Sequence, residues 1–201
     1  MKIKLTQPLS AYEIQEITDA RLHINGHKKI EYIATHSGEV TEGTLFLAMQ
    51  GTKTHGECFR GEVLSRGGII LTDKAAPGSI TVPSVSKALF LIAKSYLSSL
   101  DSLRYTVAIT GSVGKTTTKE ILAFLLKKHL IAYATSQNQN SEIGLPLTVL
   151  AAPKDTECLI LEMGMNHKGE IAKCSYLCEP THAIITNIGH AHIGNLSISF
   201  L

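Results

Sequence analysis

The chain has 201 residues, of which 44% are hydrophobic and 18% are charged, and this composition is that of an ordinary soluble globular protein. Its 19 basic and 17 acidic residues leave a formal charge of +2. Such a balance argues against a nucleic-acid-binding protein whose affinity depends on a broad basic surface. A small anionic substrate stays compatible with it, because a site for one needs only a few well-placed cations.

Targeting segments and disulfides are not indicated either. Residues 1–8 contain no long apolar stretch, so we expect no signal peptide. The longest apolar runs, residues 88–93 and 121–126, are too short to cross a bilayer. The four cysteines are predicted to be reduced thiols of a cytoplasmic protein, since no two form a CxxC pair: Cys58, Cys158, Cys174 and Cys178. The last two are four residues apart and can share a helix face, but two ligands do not make a zinc site.

The first part of the chain, residues 1–82, is predicted to form a small α/β domain. It is rich in turn formers, as at Asn25-Gly26 and Pro77-Gly78, and the apolar segments 44–49 and 68–72 have the character of short strands. In residues 83–104 the apolar side chains recur at helical spacing. We interpret that stretch as a helix linking two domains.

From residue 105 the pattern changes to a regular alternation of strands and helices. Strands are predicted at 105–110, 130–135, 157–162 and 182–186, and helices at 114–128, 143–150 and 169–177. This order predicts a mostly parallel sheet with helices on its faces, occupying residues 105–201. Ligands of such sheets bind beyond the carboxyl ends of the strands.

A glycine-rich loop, Gly111-Ser-Val-Gly-Lys-Thr116, follows the first of these strands and opens a helix. Its backbone N–H groups and the helix N-terminus favour phosphate oxygens. Lys115 is suited to neutralise the β and γ phosphates of ATP, and the Thr116 hydroxyl to ligate Mg²⁺. Position 109 is Ile where the usual phosphate loop has Gly, so the loop is a shortened variant. This departure argues against a generic NTPase or kinase, and the preceding strand argues against a chance helix cap.

Polar side chains also follow three other predicted strands. Glu162 closes an apolar strand, where it is either a magnesium ligand or a solvated strand end. His190 and His192 follow the last strand, where one of the two is a metal or phosphate ligand, or both are ordinary surface histidines. Asn138 and Asn140 follow the second strand and either bind substrate or form a turn.

Five segments, taken in order, resemble the Mur ligase family. They are residues 43–51, 109–120, 138–146, 161–171 and 186–193. Within the family the resemblance is to ligases that add D-alanyl-D-alanine to UDP-N-acetylmuramoyl-tripeptide in peptidoglycan precursor synthesis. It implies a small UDP-binding α/β domain, followed by the first half of a mostly parallel ATPase sheet with a phosphate loop.

The resemblance also implies roles for individual residues. Lys115, Glu162 and His192 would be catalytic, and Thr116, Glu162 and His192 would hold Mg²⁺. Ser37 and Asn140 would contact the substrate. ATP would be bound by Gly111, Ser112, Val113, Gly114, Lys115, Thr116, Thr117 and Asn138. The implied reaction forms an acyl phosphate on the tripeptide, which the amine of D-alanyl-D-alanine then attacks in a monomeric cytoplasmic enzyme.

The sequence departs from the family pattern in its first part and at its end. His36-Ser37-Gly38 stands where the family has Asp-Ser-Arg, and His55-Gly56-Glu57 where it has Asp-Gly-His. Ser141 replaces an Asn, and the match fades at Asn195. We therefore also consider a truncated, catalytically inactive nucleotide-binding fragment of such a ligase. A folate-type or cyanophycin-type ligase is disfavoured by residues 43–51 and 138–146.

Overall fold

The computed structural model of the chain describes residues 1–51, 54–136, 139–165 and 167–189. The chain divides into two compact units, Met1–Ser95 and Tyr96–Leu201. The predicted boundaries near residues 82 and 104 stay predictions. The fold class predicted from the sequence, a small α/β domain followed by a mostly parallel α/β sheet, is confirmed by both units and by the structural comparisons given below.

The first unit is built on a sheet of six strands in the order β1-β3-β4-β5-β6-β2. Its strands are β1 (Lys2–Ser10), β2 (Arg21–Leu22), β3 (Lys29–Ala34), β4 (Thr44–Leu47), β5 (Ile69–Thr72) and β6 (Ser79–Thr81). The four strands from β3 to β6 run parallel to one another, whereas the edge strands β1 and β2 pair antiparallel with β3 and β6. Every residue of β4 and β5 is buried, as expected for inner parallel strands.

Helices α1 (Ala11–Thr18) and α2 (Arg60–Ser65) lie in the first unit, and α3 (Val85–Ser98) begins in it and ends past Ser95. Helix α1 begins at a capping box, in which the Ser10 side chain accepts the Glu13 N–H and the Glu13 carboxylate accepts the Ser10 N–H. Two 3₁₀ turns, Ser37–Glu39 and Gly56–Phe59, lie in the loops that follow β3 and β4. Both carry residues at which the sequence departs from the family pattern.

The described part of the second unit contains four strands, all parallel, in the order β10-β7-β9-β8. They are β7 (Tyr105–Thr110), β8 (Ala132–Ala134), β9 (Cys158–Glu162) and β10 (His182–Ile185), and the intervening helices are α4 (Lys115–Leu126), α5 (Gly144–Ala151) and α6 (Glu170–Cys178). Each begins and ends within three residues of its predicted bounds. In the core, Ala123 of α4 packs against Val107, Ile109 and Ile160 of the sheet.

This strand order determines which loops become neighbours. The phosphate loop leaves the carboxyl end of β7, whose neighbours are β9 on one side and β10 on the other. Glu162 is the last residue of β9, and Thr186 directly follows β10. Side chains from both strands therefore reach the loop. In the described part of the chain, no helix combines the length and the apolarity that a bilayer crossing requires.

All four cysteines are free thiols, but only Cys58 is exposed. Burial raises the pKa of the Cys158 thiol, raises that of Cys174 to about 11, and raises that of Cys178 further. Because the thiolate is the reactive form, we expect an aromatic disulfide reagent at about pH 8 to modify one thiol rapidly in the native protein. All four should react in denaturant. Rapid modification of two or more native thiols would contradict the burial of these side chains.

Candidate functional site

The phosphate loop takes a conformation that its two glycines make possible. Gly111 has φ 136° and Gly114 has φ 82°, both in the region that residues with a side chain rarely adopt. At Gly111 a Cβ atom would also overlap the Thr186 hydroxyl and lie 3.0 Å from the Asn187 backbone. Gly111 is therefore required both for the turn and for the close approach of the segment after β10.

Two residues after β10 hold the loop in place. The Asn187 carbonyl accepts the Ser112 N–H at 3.1 Å, and its side-chain oxygen accepts the Val113 N–H at 2.9 Å. The Thr186 hydroxyl lies 2.6 Å from the Val113 carbonyl and 3.2 Å from that of Thr110. The sequence alone assigns no role to Thr186 or Asn187. Their position just after a strand in the resembling segment 186–193 was the signal available.

The N-terminus of α4 presents backbone donors beside this loop. The first hydrogen bond of the helix runs from the Thr118 N–H to the Gly114 carbonyl at 2.9 Å. The N–H groups of Lys115, Thr116 and Thr117 therefore have no acceptor within the helix. Together with the helix dipole, they form the kind of donor set that binds phosphate oxygens.

The Lys115 side chain folds back over the loop. Its ammonium donates to the Gly111 carbonyl at 2.6 Å and lies 3.5 Å from that of Ser112. The residue is half-buried, so its charge is only partly screened by water. The ammonium is thus held at the loop, where it can neutralise phosphate charge.

Glu162 is brought directly to the phosphate loop by the pairing of β7 with β9. Only 6% of the residue is exposed, so it is not a solvated strand end. One carboxylate oxygen accepts the Thr116 hydroxyl at 2.9 Å, and the other accepts the Asn140 side-chain amide at 3.0 Å. The structure therefore joins three residues that the sequence had singled out at separate strand ends.

These oxygens fit a magnesium ion. Mg²⁺ is usually bound by one or two protein oxygens together with waters and substrate phosphates, rather than by a complete protein cage. The Thr116 hydroxyl and the Glu162 carboxylate are two such oxygens next to a phosphate loop. In the described ranges, no three His, Cys, Asp or Glu side chains cluster as a metal site on their own. The donor set thus suits a metal that is shared with a nucleotide.

A cavity of about 310 Å³ opens beside Lys115. Asn140, Ser141 and Glu142 line one part of it, and Gly164 and Glu170 line another. The Glu142 carboxylate pairs with Lys173 at 2.7 Å, and this contact raises the pKa of the Lys173 ammonium. The cavity gives the phosphate loop an adjoining space with both charged and apolar walls, suited to a polar substrate.

The other predicted residues lie elsewhere. Ser37 belongs to the first unit, where it is buried and lines a cavity of about 270 Å³ together with His36, Phe46 and Gln50. The neighbouring Gly38, which stands in place of the family's Arg, accepts a hydrogen bond from Arg66 at 2.8 Å through its carbonyl. Three further predicted residues lie outside the described residues: Asn138, His190 and His192.

The comparisons with known proteins point to one family. The family described as the Mur ligase middle domain matches residues 109–198. The UDP-N-acetylmuramoyl-tripeptide–D-alanyl-D-alanine ligase of Bacillus subtilis is 38% identical over 174 residues, which are 83% of this chain and 38% of that protein. The ligase of the same name from Synechocystis is 34% identical over 201 residues, 96% of this chain and 44% of its own length. The chain belongs to the Mur ligase family.

Solved structures of Mur ligases show the same fold. A crystal structure of MurF from Acinetobacter baumannii superposes with a TM-score of 0.91 at 29% identity, covering 98% of this chain and 44% of that one. The MurF ligase of Thermotoga maritima, solved in complex with ADP, gives 0.74 at 36% identity over 80% of this chain and 38% of that one. The resemblance inferred from the sequence is confirmed. The chain spans about 40% of the length of the curated relatives it matches.

Proposed function

We propose that this chain carries the ATP- and magnesium-binding part of a ligase that joins D-alanyl-D-alanine to UDP-N-acetylmuramoyl-tripeptide. The observation that carries the proposal is the contact between Thr116 and Glu162 across the phosphate loop, 2.9 Å long. It places a hydroxyl and a carboxylate oxygen next to backbone donors and a lysine ammonium. Family membership and the named relatives support the choice of reaction.

In this proposal, residues 111–117 bind the phosphates of ATP, and the N–H groups of Lys115, Thr116 and Thr117 at the start of α4 are the backbone donors. Lys115 neutralises the β and γ phosphates, and Thr116 and Glu162 hold Mg²⁺. The metal supplies positive charge where several anionic oxygens must approach one another. His192 and Asn138 are proposed for the same site on the basis of the resemblance alone.

The proposed reaction has two steps. The tripeptide carboxylate attacks the γ-phosphorus, the bond to the β,γ-bridging oxygen breaks, and ADP leaves. The amine of D-alanyl-D-alanine then attacks the acyl carbon, phosphate leaves, and the nitrogen loses a proton as the amide forms. Asn140, beside the 310 Å³ cavity, and Ser37 in the first unit are proposed as substrate contacts. The chain's part in this scheme is to position and to neutralise charge.

The test has two parts, because the chain spans 38–44% of the two relatives. The 201-residue chain should bind ATP in the presence of Mg²⁺, which calorimetry can measure directly. A protein with the full length of the relatives that contains this chain should release phosphate from ATP only when both the tripeptide substrate and D-alanyl-D-alanine are present. Phosphate release that needs only one of these two substrates, or a different amino acid or peptide in place of D-alanyl-D-alanine, would contradict the proposed reaction.

The second candidate is a nucleotide-binding module without turnover. It is favoured by the fact that the loop, Lys115, Thr116 and Glu162 all lie within the described part of the chain, whereas the matched relatives are more than twice as long. Binding of Mg·ATP by the 201-residue chain without phosphate release, even when both acceptors are supplied, would support this candidate. We propose a cytoplasmic location and a monomeric state for either case.

A further inference from the structure

Lys119 is a buried cation that the proposed mechanism does not use. It lies on α4 one turn beyond Lys115, and only 1% of the residue is exposed. Its ammonium donates to the Thr135 carbonyl at 2.7 Å. It also lies 3.0 Å from a carboxylate oxygen of Glu120 and 4.0 Å from one of Glu162. A fully buried ammonium is rare and unfavourable unless its charge is compensated.

The two carboxylates near Lys119 are in different surroundings. The Glu120 side chain is 65% exposed, so water screens its charge even though it is the nearer one. The Glu162 side chain is 8% exposed, and water screens it far less. Lys119 therefore acts on Glu162 more than the two distances alone suggest.

Lys119 approaches the same Glu162 oxygen that accepts the Thr116 hydroxyl. Glu162 is a ligand in the proposed magnesium site. A cation about 4 Å from a metal ligand both offsets the negative charge of the carboxylate and repels a divalent ion. Before nucleotide binds, the Lys119 charge offsets that of Glu162, and the Lys115 ammonium at the loop adds a further positive charge that opposes binding of free metal.

We infer that Lys119 makes cation binding at Glu162 depend on nucleotide, because it neutralises the carboxylate until phosphates bring further negative charge. This inference rests on the proposed function of the site. Lys119 is a positioning and charge-balancing residue, since it reaches the metal only through Glu162. The site would thus bind free Mg²⁺ weakly, and the metal would bind together with ATP.

The test measures Mn²⁺ binding without nucleotide, by electron paramagnetic resonance of the free ion. The wild-type chain should bind it weakly, and Lys119→Met should bind it roughly tenfold or more tightly, since the repelling charge is gone. Lys119→Arg keeps the charge and should resemble the wild type. A residue with a merely structural role would not gain metal affinity when it is removed.

Two further variants make the result specific. Lys119→Met/Glu162→Gln should lose the gain, because the metal then has no carboxylate to bind. Lys127→Met, at the exposed end of α4, should change nothing. Lys119→Gln, which keeps an uncharged N–H donor, should show the gain as well, and it replaces Lys119→Met if circular dichroism shows that variant to be unfolded.

The outcomes separate this inference from the proposed function. Equal Mn²⁺ binding by the wild type and by both neutral variants would overturn the inference, even if the wild type binds Mg·ATP. A gain that persists in the Lys119→Met/Glu162→Gln variant would overturn it too, because the metal would then lie elsewhere. Failure of the wild type to bind Mg·ATP would instead overturn the proposed function, and with it the role given to Lys119.

Discussion

Replacing Lys115 with methionine is expected to weaken Mg·ATP binding by about 100-fold, or ~2.7 kcal/mol, a typical value for a hydrogen bond to a charged group in a partly buried site. Methionine keeps most of the length of the side chain and removes its charge. Among the described residues, the ammonium donates to carbonyl oxygens of its own loop, those of Gly111 and Ser112, so the fold should lose little when it is absent.

Calorimetric titration with ATP in the presence of Mg²⁺ measures the effect, and thermal unfolding shows whether the variant is still folded. Lys127→Met is the matched control, because it removes the same charge from the opposite, exposed end of α4. A loss smaller than about threefold for Lys115→Met, or an equal loss for both variants, would exclude a direct contact of Lys115 with phosphate.

Replacing Ile160 with alanine is expected to lower the free energy of unfolding of the second unit by about 2–5 kcal/mol. Ile160 lies at the centre of β9, between β7 and β8, and is completely buried. It packs with Val107, Ile109 and Ala123. The truncation leaves a cavity in the core. Strand β9 cannot move to close it, because hydrogen bonds to β7 and β8 hold it on both sides.

Hydrogen exchange in increasing urea measures this effect on peptides from each unit separately, because two compact units can unfold independently. Ile121→Ala is the control, as it removes the same atoms from a side chain on α4 that is 56% exposed. Peptides from β4 and β5 of the first unit should be unaffected. Equal destabilisation by both substitutions would contradict the described core.

The first unit shows where sequence patterns fail to predict structure. Strand β1 was not predicted: residues 2–6 alternate between polar and apolar side chains, but Gln7 and Pro8 end this alternation after five residues. Its pairing with β3 shifts register between Lys4 and Leu9, and Pro8, which has no backbone N–H, falls within that interval. The strand is defined by its antiparallel partner at the edge of the sheet, which a single segment of sequence does not reveal.

The secondary structure of the second unit was largely predictable, because the sequence patterns that indicate it lie within short segments. Runs such as residues 105–110 and 157–162 are apolar enough to read as buried strands, and the glycines of residues 111–116 mark the loop between a strand and a helix. Lys115, Thr116 and Glu162 were selected on this basis alone. The structure brings Thr116 and Glu162 together, as expected for the ends of neighbouring parallel strands.

The sequence by itself thus determined the fold class, the family and the phosphate loop, since each depends on patterns that lie within short segments of the chain. The tertiary structure decided the rest. The order β10-β7-β9-β8 brings Asn187 to the loop across 74 positions of sequence and Glu162 to Thr116 across 46. It also buries Lys119 beside Glu162, a contact that no spacing along the chain reveals. Contacts between distant segments depend on strand order, and only the folded chain fixes that order.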